Sequence, residues 1–252
     1  MDRQQNAWAK TGAAVQNGKQ TERQSVGRKE GFDRKRGRFY QAGLTGVFGG
    51  LGVPGTGKTT LILEKIWCAR FVLIYNTAGD FGGGPRQKPL PGFHFVFDIC
   101  TLGDWLLKAK AEKWEQVRIC FTPLRYGRDP VEVFAAVCRM VADFGDCVFF
   151  VDEIWNFQTS SSSPHQLREL MLQWRHYGIS LAWTAQIPQK VDKTLLTVST
   201  ELYVGRLNLE NDLEAVRRNG RIPEDALRII PTLPDWSFVH RFEDGRYQVE
   251  RP

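Results

Sequence analysis

The chain has 252 residues, 42% apolar and 25% charged, an ordinary balance for a soluble globular protein with room for one sizeable core and some appendages. No apolar run approaches the ~20 residues of a membrane span, and no hydrophobic signal segment opens the sequence. Five single cysteines with no C-x-x-C, and four scattered histidines, argue against a disulfide framework and a zinc site; the cysteines read as reduced core residues.

The net charge of +6 is unevenly placed. Residues Met1 to Tyr40 hold ten Lys/Arg and four Asp/Glu, which accounts for all of it, and the remainder is neutral with 24 of each sign. This opening stretch is poor in aliphatic residues and cannot bury enough surface to fold alone, so residues 1–40 are expected to form a disordered basic arm. Its densest cluster is Arg34, Lys35, Arg36 and Arg38. Such an arm suits contact with nucleic acid or an acidic surface, and equally suits a solubilising tail.

From residue 41 the pattern changes to one α/β domain. Thr45–Leu51 reads as a short strand. Gly52-Val53-Pro54-Gly55-Thr56-Gly57-Lys58-Thr59 then matches G-x-x-x-x-G-K-[ST] in full, the phosphate-binding P-loop. Its glycines let backbone N–H groups point at phosphates, and the helix expected over Thr60–Trp67 adds its positive end. Lys58 is expected at the β/γ-phosphates, the Thr59 hydroxyl on Mg²⁺, and Thr60 beside them.

Phe71–Asn76 is a continuous apolar strand, as in parallel sheets buried on both faces. A Gly/Pro loop follows over Gly79–Gly92, carrying Arg86 and Lys88. Phe93–Asp98 reads as extended, Leu102–Gln116 as an amphipathic helix, Val117–Phe121 as a strand, and Pro130–Phe144 as a helix. Cys147–Val151 is a strand, Pro164–Tyr177 a helix, and Ile179–Ala185 a strand. Glu201–Leu207 is a strand, Leu209–Arg218 a helix, and Trp236–Val249 a hairpin turning at Asp244-Gly245. Alternating strands and helices predict a three-layer αβα domain with a mainly parallel sheet and a C-terminal hairpin.

The strand Val148–Val151 runs directly into Asp152-Glu153. Two carboxylates are thereby placed at the C-terminal edge of a buried strand, where open α/β sheets bind ligands. Asp152 is expected to hold Mg²⁺ and Glu153 to polarise the attacking water. Gln186, ending the next strand after Trp183-Thr184-Ala185, could sense the γ-phosphate. The paired acids behind a P-loop are similar to the RecA-like ASCE branch of ATPases.

The segment from Leu170 to Pro188, with Arg175, Gly178-Ile179 and Thr184-Ala185-Gln186-Ile187-Pro188, resembles the FtsK–HerA superfamily of DNA-pumping ATPases. One residue between Thr and Gln departs from that family's pattern. Asp192, Ser199-Thr200 and Arg206 also look like it, and the resemblance spans Gly46 to Arg218. It implies ATP and Mg²⁺ as cofactors and double-stranded DNA gripped without regard to sequence. It also implies a homo-oligomeric ring, hexameric in the family, with Arg175 as a finger acting on a neighbour; Arg206 and Arg168 are the alternatives. The short chain is most similar to minimal viral genome-packaging ATPases, which implies capsid vertex partners and a place in host cytoplasm or virion, without secretion.

Three rivals remain open. Asp80-Phe81-Gly82-Gly83 and Gln189-Lys190-Val191-Asp192 approach GTPase motifs, though the Asn of N-K-x-D is missing. A phage assembly or secretion ATPase similar to zonula occludens toxin-like proteins would share the core. A non-motor nucleotide-binding protein would bind ATP without DNA-stimulated turnover. For DNA contact the candidates are Arg86, Lys88 and the basic cluster of the arm, with Ser160–Ser163 as a weaker loop candidate.

Overall fold

The computed structural model describes residues 46–77, 81, 89–123 and 129–251. The basic arm, Arg86, Lys88, Asp80 and Gly82-Gly83 lie outside the described residues.

Nine strands form one sheet among the described residues. In chain order these are β1 (Val47–Leu51), β2 (Phe71–Tyr75), β3 (His94–Val96), β4 (Val117–Phe121), β5 (Val148–Val151), β6 (Ser180–Ala185), β7 (Glu201–Val204), β8 (Phe238–Arg241) and β9 (Tyr247–Glu250). The spatial order is β3-β4-β2-β5-β6-β1-β7-β8-β9. The first seven run parallel, and β8 and β9 add on antiparallel as the expected hairpin. The helices are α1 (Lys58–Ile66), α2 (Ile99–Ala111), α3 (Pro130–Phe144), α4 (His165–Tyr177), α5 (Lys193–Val198), α6 (Glu210–Arg218) and α7 (Glu224–Ile229).

The apolar runs exist because both sheet faces are covered. Side chains alternate between faces along a strand. Phe71, Leu73 and Tyr75 join Phe149, Val151, Leu181 and Trp183 in one core, under α2 to α5. Val72 and Ile74 join Phe48, Val148, Phe150 and Ala182 in the other, under Ile62, Leu63 and Ile66 of α1. The two central strands β1 and β6 approach through a size match: Gly49 pairs in register with Trp183. A Cβ on Gly49 would come 2.2 Å from the Trp183 ring. That indole is fully buried, and its N–H donates to Ser199 Oγ at 3.3 Å.

Local chemistry shifts several boundaries. Asp98 caps α2 by accepting from the Thr101 N–H at 2.8 Å, so the helix starts three residues earlier than expected. It stops at Ala111, just before Lys113 turns to φ 55°. α7 has no counterpart in the sequence reading, because six residues are too few to show a helical period. The hairpin strands begin only at Phe238, since Trp236 has φ 66° and cannot be extended. Cys120, Cys138 and Cys147 are buried, but Cys68 and Cys100 are exposed, which corrects the core assignment for those two. Among the described residues no helix is long and apolar enough to cross a membrane.

Candidate active site

The chain leaves β1 at Leu51 and enters α1 at Lys58, and the turn between them is the P-loop. Gly57 stands at the helix N-cap with φ 85°, a left-handed conformation costly for other residues, and no side chain caps α1. The first N–H groups of α1 are therefore left for an anion. The loop is braced from both flanks: the Gly52 N–H donates to Ala185 O at 3.3 Å and the Val53 N–H to Arg206 O at 3.0 Å. Inside it, the buried Thr56 hydroxyl donates to Val53 O at 2.9 Å. Pro54 and Gly55 form the exposed crown.

Asp152 and Glu153 follow β5 at the same sheet edge. The Asp152 side chain accepts from the hydroxyls of Thr184 at 2.6 Å and Thr59 at 3.1 Å. Burial is the main influence on its carboxyl and pushes it up to about 6; the Thr184 hydrogen bond opposes this, and the Glu153 charge adds to it. A buried carboxylate beside the P-loop threonine fits a divalent cation well. Mg²⁺ takes few protein oxygens and draws the rest of its octahedron from water and phosphate. Asp152 and Thr59 supply such a pair, and among the described residues no cluster of three or more His, Cys, Asp or Glu competes for a metal.

Glu153 is buried with φ 51°, a strained conformation for a non-glycine residue. Its backbone N–H donates to Thr184 Oγ1 at 3.0 Å. Four donors converge on its carboxylate. Lys58 Nζ lies 3.2 Å from Oε1, and Gln186 Nε2 donates to the same oxygen at 2.9 Å. The Gln186 backbone N–H reaches Oε2 at 3.1 Å, and the Trp155 indole N–H reaches it at 2.7 Å. The sequence-derived residues Lys58, Thr59, Asp152, Glu153 and Gln186 are thus one connected cluster.

The arginines separate. Arg206 follows β7 beside the P-loop, with its guanidinium 2.8 Å from Asp235. Arg168 lies in the first turn of α4 and is exposed. Arg175 lies at the other end of α4, where Gly178 turns the chain into the start of β6. The six residues of β6 then separate it from Gln186 by roughly 20 Å. Arg175 is exposed, stacks on Trp174 and sits 3.6 Å from Glu243.

Other residues of the family-like pattern have packing duties. Asp192 caps α5 through the Thr194 N–H at 2.7 Å and accepts from Ser163 Oγ at 2.6 Å, so this buried carboxylate serves the local fold. Ser199 donates to Leu195 O and Thr200 to Val47 O. The Ser160–Ser163 loop is a folded turn, closed by a Thr159–Ser162 bridge and tied to α5 by the Lys193 N–H on Ser160 O.

Three residues at the site carried no role in the sequence reading. Thr184 holds both acids, and its signal was the Thr-Ala-Gln segment, in which only the Gln was given a chemical role. Trp155 orients Glu153 from two residues downstream. Trp236 leans on the P-loop from far along the chain, and no local pattern marks it.

No family model and no curated protein matches the chain. Solved structures do. The genome packaging NTPase B204 from Sulfolobus turreted icosahedral virus 2, in complex with ATP-gammaS, aligns at TM-score 0.64 and 11% identity over 82% of this chain and 97% of that one. VirB4 of Thermoanaerobacter pseudethanolicus aligns at TM-score 0.50 and 12% identity, over 81% and 88%. The N-terminal domain of zonular occludens toxin from Neisseria meningitidis aligns only at TM-score 0.38 and 17% identity, over 64% and 76%. The chain has a RecA-like P-loop NTPase fold, shared with a viral genome-packaging NTPase over nearly that protein's whole length.

Proposed function

We propose that this chain is a Mg-ATP-hydrolysing motor that moves double-stranded DNA irrespective of sequence, in the manner of a viral genome-packaging ATPase. The observation that carries this is the convergence of Lys58, Glu153 and Gln186 beside the Thr59–Asp152 pair at the P-loop edge. Lys58 and the α1 amides hold the β- and γ-phosphates. Thr59 and Asp152 hold Mg²⁺, which when bound neutralises phosphate charge. Glu153 polarises a water for in-line attack, and Gln186 ties the state of Glu153 to the end of β6. The likeness in fold to B204, a genome packaging NTPase, supports the biological context.

Arg175 lies a strand's length from the P-loop of its own chain, so the reading includes a homo-oligomeric ring, hexameric by family resemblance, in which α4 faces a neighbour. Capsid vertex proteins are the expected anchor, and the host cytoplasm or virion the place of action.

Duplex DNA of any sequence should bind at low salt and stimulate ATP hydrolysis by the full chain. Phosphate-driven binding has a log–log salt slope of about −0.9 per neutralised phosphate, so removing residues 1–38 should flatten the slope by a few phosphates' worth. If duplex DNA neither binds nor changes the ATPase rate, the translocase reading fails and a nucleotide-driven assembly role takes its place.

A further inference from the structure

One half-exposed aromatic leans on the P-loop instead of entering the core. Trp236 leaves 48% of its surface open. Its backbone has φ 66°, a conformation an L-residue with a bulky side chain adopts at a cost. The strain is held in place by the P-loop itself, because the Trp236 N–H donates to Thr56 O at 3.1 Å. The six-membered ring of the indole lies over Gly57, where a Cβ would come within 2.4 Å of it. The turn behind it is fixed by the Ser237 N–H on Pro234 O at 3.2 Å and by the Arg206–Asp235 pair at 2.8 Å.

Sheet order says which part of a nucleotide meets this ring. β1 lies between β6 and β7. Glu153 and Gln186 follow β5 and β6 on one flank, so the γ-phosphate points there. The nucleoside end must leave the P-loop on the opposite flank, past β7. Trp236 precedes β8, the next strand on that side. We propose that Trp236 is the platform on which the nucleobase of the bound triphosphate stacks. The inference rests on the nucleotide-binding reading above and adds the residue that holds the base. Stacking uses the π-face that every base has, so it favours a purine by area without reading base edges.

The test compares ATP with inorganic tripolyphosphate, which has the charge but no base, by calorimetry on the full chain with Mg²⁺. Trp236→Ala should weaken ATP binding about 5- to 150-fold, the range for losing one base–aromatic stack, and leave tripolyphosphate affinity unchanged. Trp236→Phe should recover most of the loss. Unchanged ATP affinity in Trp236→Ala would overturn the proposal. So would an equal loss for both ligands, which would make the indole a brace for the P-loop. If the unsubstituted chain binds neither ligand, the nucleotide-site reading itself is wrong. Circular dichroism of both variants guards against misfolding, and the half-exposed position makes that risk small.

Discussion

Lys58 and Glu153 form a buried ion pair, 3.2 Å from Nζ to Oε1, with side chains only 7% and 9% exposed. The lysine proposed to hold the triphosphate and the acid proposed to activate water are therefore each other's partners. Removing one member of such a pair leaves a buried charge behind, whereas removing both does not. Lys58→Met and Glu153→Gln should each destabilise the fold, and the double variant should lose less than the sum. A coupling of about 0.5–3 kcal/mol in a chemical-denaturation cycle is expected; strict additivity would mean the pair does not matter to stability.

The same two variants should part company in function. Lys58→Met should lose nucleotide binding. Glu153→Gln should bind ATP and lose turnover by about 10²–10⁴, the usual cost of a missing positioned base. Equal ATPase rates for Glu153→Gln and the unsubstituted chain would remove Glu153 from the chemistry.

Burying the Asp152 carboxyl costs the fold stability near neutral pH. Its carboxyl is pushed up to about 6 from 3.8, chiefly by burial. Between about pH 4 and pH 6 the folded state keeps a proton that the unfolded chain has released, so this contribution to stability falls as pH rises and its full cost stands above pH 6. At 1.36 kcal/mol for each pH unit between the two values, that cost is on the order of 2–3 kcal/mol at neutral pH. Asp152→Asn should raise the melting temperature of the nucleotide-free protein at pH 7, with the gain shrinking towards pH 4. It should also abolish the effect of Mg²⁺ on ATP binding. A variant less stable than the parent at pH 7 would contradict the burial argument.

Thr184 is the hinge pin of the acid pair, donating to Asp152 and accepting from the Glu153 N–H. Thr184→Val has nearly the same shape but leaves a buried N–H without a partner, a loss of about 1–3 kcal/mol. Turnover should fall while tripolyphosphate affinity holds, and Thr184→Ser should restore both stability and rate. Comparable turnover in the valine and serine variants would show that the hydroxyl does not position the acids.

Arg175 cannot reach the P-loop of its own subunit across the length of β6. Arg175→Ala should bind ATP normally and turn over about 10³–10⁵ more slowly if it acts as a finger. Mixing it with Lys58→Ala subunits should restore part of the rate. Mixed assemblies that stay inactive would pass the role to Arg168 or Arg206.

What the sequence revealed and what it hid divide along a physical line. The P-loop, the acids after β5 and Gln186 after β6 were legible because contiguous residues encode them: a glycine pattern, and apolar runs that end in a polar group. β1, β2 and β4 to β7 were legible for the same reason, since both sheet faces are covered there, whereas the edge strand β3 is half exposed. Thr184, Trp155 and Trp236 were not, because strand register and a distant turn bring them to the site. Asp192, Ser199 and Thr200 show the converse. They fit a family pattern, yet here they cap α5, receive the Trp183 indole and close the edge of β1.

The crowding around Glu153 has a consequence for economy of fuel. A carboxylate offers about four lone-pair positions, and Lys58, Trp155 and both nitrogens of Gln186 occupy that many. If Glu153 activates water as proposed, one of these donors must let go first. A bound triphosphate would give Lys58 a competing anion, and Gln186 is anchored at the end of β6. In the proposed ATPase, turnover would therefore wait on an event that redistributes those donors.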